Sequence, residues 1–252
     1  MLIVRSTPWW KAARVYYQYA RDYVRYHLYR LEYICTAPHP RKLLHVNPNS
    51  IEYVIADSAH HPFNPEYSIR TGDWDTNKFL HKKTKKHQSM IRHFTEGVPW
   101  EQTSRYEDVV TRIKRGERVG GFDGSEQTVE QYEEYLSWIN ELYNSIKEEG
   151  YKSQRELSAE DDFMRRTHLV PEYNEITVDI DRHGNFLATH GIHRLSIAKL
   201  LDVETVPVRV RVRHKKWQEI RVQFHNNYPD SIPEELEQYE SHPDIRTIVQ
   251  SN

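Results

Sequence analysis

Two short segments carry residue types that could do chemistry. The first is Thr189-His190-Gly191-Ile192-His193-Arg194, where a glycine precedes an apolar run of helical period. A helix opening at such a glycine exposes free backbone N–H groups at the positive end of its dipole, and Arg194 adds a fork of donors. That combination can hold a phosphate, with His190 and His193, three apart, flanking the ligand or moving a proton. The same residues also suit a bare strand-to-helix turn, with Arg194 paired to an acidic helix. The second segment is Gly72-Asp73-Trp74-Asp75. Its carboxylates could hold Mg²⁺ on phosphates, or one could act as general base toward a substrate hydroxyl while Trp74 stacks on a base or sugar. They could equally cap a following helix. His60-His61, His81, His87 and His93 lack a metal-binding spacing and read as surface or loop residues.

Periodicity supplies the elements that must position these residues. Glu175 to Ile180 alternates as a half-buried strand, Arg182-His183-Gly184-Asn185 makes a tight turn, and Phe186-Leu187-Ala188 returns as a hairpin. Ile192, Leu195, Ile197, Ala198, Leu200 and Leu201 then form an apolar helix ending near Asp202. Val206 to Val212 is a strand with valines on one face and Arg209, Arg211 and Arg213 on the other. Trp217 to Phe224 reads as a helix, and the segment from Tyr228 reads as a loosely packed tail. Upstream, Ser50 to Ala56 is a short strand behind Asn47-Pro48-Asn49, followed by a His/Pro-rich loop over Asp57 to Asn64 and a basic stretch from Lys78 to His87. Residues 96 to 162 hold 17 carboxylates against 8 cations, over helical patterns at Arg105 to Arg115 and Thr128 to Glu149. This acidic block reads as a solvated layer over a sheet.

Residues 8 to 34 read as one helix with Pro8 in its first turn, and without the apolar core of a secretory signal. Between residues 5 and 32, six cations face only Asp22 and Glu32, interleaved with Trp9, Trp10 and six tyrosines. Such a helix could lie on an anionic membrane or pack on its own domain with its arginines in water.

Composition bounds the rest. A chain of 252 residues can bury a sizeable core, and 35 Lys+Arg against 37 Asp+Glu exclude a basic coat over the whole surface. Cys35 is the only cysteine, which rules out an internal disulfide and any multi-cysteine zinc site and fits a reducing, cytoplasmic setting. Mean hydropathy is −0.86, and no run approaches the roughly 18 apolar residues of a membrane span.

The run from Ile176 to Arg213, with Gly191-Ile192-His193-Arg194-Leu195, the Ile197-Ala198-Lys199-Leu200-Leu201 helix and the Val206-Pro207-Val208-Arg209-Val210 strand, resembles the ParB/sulfiredoxin fold family. The resemblance covers about forty residues closely; upstream it extends more weakly to Asn47–Ile55 as a first strand and Ile69–Asp75 as a substrate-side segment that includes Arg70 and Trp74. It implies an α+β domain with a small mixed sheet. It also implies a nucleotide triphosphate, ATP or CTP with possible Mg²⁺, whose phosphates are wrapped by Thr189 to Arg194. Within this family, that points to phosphotransfer or nucleotide hydrolysis on a small metabolite, with His193, Asp73 or Asp75 catalytic. Two departures stand out. Ile192 occupies the place of the sulfiredoxin cysteine, so no thiolate can attack from there. His190 replaces the usual Asp, and only about forty residues follow Arg213, too few for the helix-turn-helix domain of partition proteins.

The expected organisation is therefore a basic aromatic helix over 1–40, a ParB/sulfiredoxin-like domain over 41–225 with a helical insertion over about 96–165, and a tail over 226–252. The alternative function is a non-catalytic DNA- or RNA-associated protein, using Arg209, Arg211, Arg213 and the Lys82–Lys86 run against a phosphate backbone. A third is an interaction module docking through the tyrosine-rich helix.

Overall fold

The computed structural model describes residues 9–33, 36–37, 39, 41–56, 68–117, 119, 128–160, 170–229 and 231–249. The His/Pro-rich loop, with His60 and His61, and Cys35 lie outside these. The chain forms two compact units, one of residues 1–79, 153–191 and 205–252, the other of residues 80–152 and 192–204.

The first unit is built on a mixed seven-stranded sheet: β1 (Leu43–Val46), β2 (Tyr53–Ile55), β3 (Ser68–Arg70), β4 (Lys78–Leu80), β5 (Ile176–Ile180), β6 (Phe186–His190) and β7 (Val206–His214). The strand order is β1-β7-β5-β6-β2-β4, with β3 also paired to β7. β7 is long enough to serve three partners. Val206–Arg209 pairs antiparallel with β1, Val212–His214 pairs parallel with β3, and its other edge runs parallel to β5. β5 and β6 form the expected hairpin, closed by Asp181, whose carboxylate accepts from the backbone N–H groups of His183 and Asn185 and pairs with Lys78. β5 is buried along its whole length, so the sheet is covered on both faces.

The expected strand over Ser50–Ala56 is shorter, because Pro48–Ser50 forms a 3-10 turn capped by the Asn47 side chain. β1, β3 and β4 have only four, three and three residues, too few to show a period.

The helices of this unit are α1 (Trp9–Tyr33), α5 (Gln154–Glu160), α7 (Lys215–Asn227), α8 (Glu234–Glu237) and α9 (Pro243–Val249). The expectation of a loose tail is overturned here: Leu236, Ile245 and Ile248 are buried, and so is Asp244. Asp244 accepts two bonds from Arg213 and one from the Trp217 indole, and pairs with Arg221, so a buried charge cluster fixes α9. A residue pattern of only seven positions around a buried Asp offers no apolar periodicity to read.

The second unit holds α2 (Lys85–Phe94), α3 (Ser104–Lys114), α4 (Val129–Glu149) and α6 (Ile192–Leu200). Thr84, Thr103 and Thr128 cap the first three, and Gly150 ends α4 at φ +82°. Its core joins Met90, Trp100, Val109, Leu136, Ile139 and Ile197. The helices of the acidic block bury apolar faces in a core of their own, together with α6. The compact unit they belong to runs from Leu80 to Lys152 and includes residues 192–204.

Candidate functional site

Gly191, the last residue of the first unit before α6, has φ +74°, a conformation that a side chain would strain. Leu195, Ser196, Ile197 and Ala198 are buried, which leaves the first turn with its free N–H groups carrying the half-buried His193 and Arg194. His193 shares a small cavity, about 50 Å³, with Lys86 from α2, Arg105 from α3 and Tyr132 and Tyr135 from α4. A space of that size takes a few waters or one phosphoryl group rather than a whole ligand. Ser89 helps to bring the two cations together, because its hydroxyl, one turn after Lys86, accepts from the Arg105 backbone N–H at 3.1 Å.

The Tyr135 hydroxyl lies 2.9 Å from His193 Nδ1. Burial raises Tyr135 to about 12, so it keeps its proton. Burial, followed by repulsion from Lys86 and Arg105, lowers His193 well below the ordinary histidine range. The imidazole is therefore neutral, and with the tyrosine as donor to Nδ1 the ring proton sits on Nε2. Two cations, a neutral imidazole and a helix N-terminus around one cavity make an environment that favours an anion.

Beside this cavity in the same unit, His81 and His87 are buried, contrary to their reading as surface residues. Their rings lie 4.5 Å apart, and His81 Nε2 stands 3.2 Å from Ser196 Oγ. His87 on α2 and His81 in the 3-10 turn before it are both drawn inward by packing, an effect without a spacing signature. His93 is half-buried and stacks on Trp100 at 4.1 Å. Among the described residues no group of three or more His, Cys, Asp or Glu could hold a metal ion.

In the first unit, Gly72-Asp73-Trp74-Asp75 is organised around Arg182. Asp75 is buried and accepts from the Arg182 backbone N–H and from both Nε and Nη2, while Asp73 accepts from Nη2 at 2.6 Å. Burial raises the Asp75 carboxyl, but the Arg182 hydrogen bonds outweigh it and bring it down to about 2. A carboxylate so held is a weak base. Asp73 has a side chain 80% exposed and keeps open lone pairs. Arg70 lies over Trp74 at 6.0 Å, the His214 ring also lies 6.0 Å from the indole, and the indole N–H is buried without a hydrogen-bond partner. A cleft of about 350 Å³ runs past Gly72, Asp73, Arg182, His214, Lys215 and Lys216.

The predicted phosphate-binding residues divide between the units. Thr189, His190 and Gly191 belong to the first, where Thr189 Oγ donates to the Thr177 carbonyl and His190 is exposed at the end of β6. Ile192, His193 and Arg194 belong to the second. Arg209, Arg211 and Arg213 form no exposed stripe. Arg209 is buried over the Tyr173 ring, Arg211 makes a bidentate pair with Asp179, and Arg213 makes one with Asp244. Alternation identified the face correctly, but both faces of the sheet are covered. Lys82, Lys83 and Lys85 remain exposed, with Lys85 on Asp108 at 3.0 Å. Lys86 entered the sequence reading only within the Lys82–Lys86 run, and Arg105 and Tyr135 were not singled out as site residues, because nothing in their separations links them to His193. Comparison with family models, with curated proteins and with solved structures gave no match.

Proposed function

We propose that this chain binds a nucleotide triphosphate and uses the cavity at the start of α6 to receive part of its phosphate chain. The observation that carries the reading is the convergence of Lys86, Arg105 and His193 on one cavity at a helix N-terminus. The donor set suits a phosphoryl group: two cationic side chains, an imidazole N–H and free backbone N–H groups. The similarity of the Gly191-to-Arg194 turn to the ParB/sulfiredoxin family supports the same assignment. In this reading Mg²⁺ would be carried on the phosphates, needing few protein ligands. Within the first unit, Asp73 is the better candidate base of the two carboxylates, because its carboxylate is exposed while Asp75 is committed to Arg182.

Titration calorimetry with ATP and CTP, with and without Mg²⁺, tests the reading. Replacing Lys86 or Arg105 with Ala should weaken binding by a charge-assisted contact, roughly 1.5–3 kcal/mol or 10- to 150-fold each. Arg194→Ala tests the contribution of the turn itself. Unchanged affinity in all three folded variants, or no binding by the wild type, would overturn the proposal.

A further inference from the structure

The cleft of about 350 Å³ in the first unit is lined by two kinds of residue, those whose hydrogen bonds are already made and those with bonds still to give. Arg182 and His214 are of the first kind. The Arg182 guanidinium donates to Asp75, to Asp73 and to the Gly72 carbonyl. His214 is buried and accepts from the Lys216 backbone N–H on Nδ1 at 3.1 Å, so its Nε2 donates to the same Gly72 carbonyl at 3.0 Å. These bonds tie the Gly72-Asp73 loop to the turn after β5 and to the start of α7. The cleft is therefore shaped in advance of any ligand.

Lys215, Lys216 and Asp73 are of the second kind. The two lysines open α7, both are exposed, and neither forms an ion pair among the described residues. Asp73 gives Oδ1 to Arg182 and keeps Oδ2 open, on a side chain 80% exposed. Glu219, one turn further along α7, also lines the cleft, so the helix contributes two ammonium groups and one carboxylate. A bare anion would find the lysines and be repelled by Asp73, whereas a bare cation would meet the reverse. The arrangement is complementary to a molecule with an anionic group at one end and a hydrogen-bond donor at the other. The volume stands at the lower end of the range for ligand pockets, which suits a metabolite of a few carbons. We infer that this cleft binds a small hydroxylated organic anion, with its carboxylate or phosphate on Lys215 and Lys216 and a hydroxyl donating to Asp73. The inference names the substrate class for Asp73 and rests on the function proposed above for that residue's role as base.

Ligand-observed NMR titration of the full chain, without nucleotide, tests this. Glycerate and glycerol 1-phosphate serve as the hydroxylated carboxylate and phosphate, and propionate and inorganic phosphate as their counterparts without a carbon-borne hydroxyl. At least one hydroxylated probe should bind about tenfold more tightly than its counterpart, the scale of a hydrogen bond to a charged group, and which one does so identifies the anionic group. The double variant Lys215→Ala, Lys216→Ala changes only exposed side chains. Circular dichroism and nucleotide affinity should match the wild type, while the probe binds at least about tenfold more weakly. Asp73→Ala should bring the hydroxylated probe to the affinity of its counterpart. No binding of either hydroxylated probe, equal affinity for probe and counterpart, or binding unchanged in the double variant would each overturn the inference. Because the titration contains no nucleotide and nucleotide affinity is read separately, failure of the cleft and failure of the nucleotide site are distinguishable.

Discussion

The hydroxyl of Tyr135, on α4, stands 2.9 Å from Nδ1 of His193, in the first turn of α6, and as donor to that nitrogen it leaves the ring proton on Nε2. The pairing leaves Nε2–H as the donor beside Lys86 and Arg105. An anion received there would oppose the burial and the repulsion from Lys86 and Arg105 that hold His193 neutral, and so raise its proton affinity. Nucleotide binding should therefore take up a proton, and affinity should rise as pH falls between the bound and free values of His193. Calorimetry in buffers of different ionisation enthalpy reads the proton directly. Tyr135→Phe should weaken binding by about fivefold, the scale of one neutral hydrogen bond.

The two carboxylates around Trp74 should separate in their effects. Asp75→Asn removes the charge that ties Arg182 to the Gly72 loop and should lower the thermal midpoint. Asp73→Asn touches an exposed pair and should leave the midpoint within about 2 °C. If Asp73 is the base, its variant should lose on the order of 10²- to 10⁴-fold in nucleotide turnover at unchanged nucleotide affinity. Phosphate release with a metabolite extract measures this.

Acid should destabilise the second unit first. Burial, with His87, Lys199 and Lys86 nearby, lowers His81 to about 3, and burial followed by Lys199 lowers His87. Both bind protons more readily when unfolded, so the stability due to their neutrality is complete above about pH 6.5 and falls as pH drops toward 3. The slope approaches 1.4 kcal/mol per pH unit per proton. Asp75 adds its loss only below about pH 4. Urea unfolding at pH 7 and pH 5 should show the decline, and His81→Gln should flatten it.

Gly184 should tolerate no side chain. It sits at φ +86°, and a Cβ there would lie 2.6 Å from Trp217 Cζ3. Left-handed backbone costs roughly 1–2 kcal/mol and overpacking roughly 1–3 kcal/mol, so Gly184→Ala should destabilise by about 2–5 kcal/mol in denaturant unfolding.

Asp244 should be indispensable to the C-terminal helices. Burial raises its carboxyl, but Arg213 and Arg221 outweigh this and hold it far below the usual carboxylate range. Asp244→Ala strands two buried guanidinium groups and should cost about 3–5 kcal/mol. Limited proteolysis should then cleave within residues 231–249, where the wild type resists.

Elements long enough to show a period were legible in the sequence. α3, α4, α6, the β5–β6 hairpin and β7 follow from repeats of 3.6 or 2 and from the glycines at 184 and 191 that allow left-handed backbone, and α1 from Pro8 in its first turn and the uninterrupted run after it. The order strand, turn, strand, helix, strand around Gly191 was likewise written in local pattern. Strands of three or four residues were not, since a period cannot repeat in them. Nor was any relationship set by pairing across the fold. The sequence places arginines on alternate positions of β7, but only the covering helix α9, through Asp244, makes Arg213 an internal cation. It places Lys86, Arg105, Tyr135 and His193 up to a hundred residues apart, and only the packing of α2, α3, α4 and α6 makes them one cavity. Charge and hydrophobicity along a chain report what each residue prefers. Which preference is met inside, and which is left facing outward, depends on what the other elements can bury.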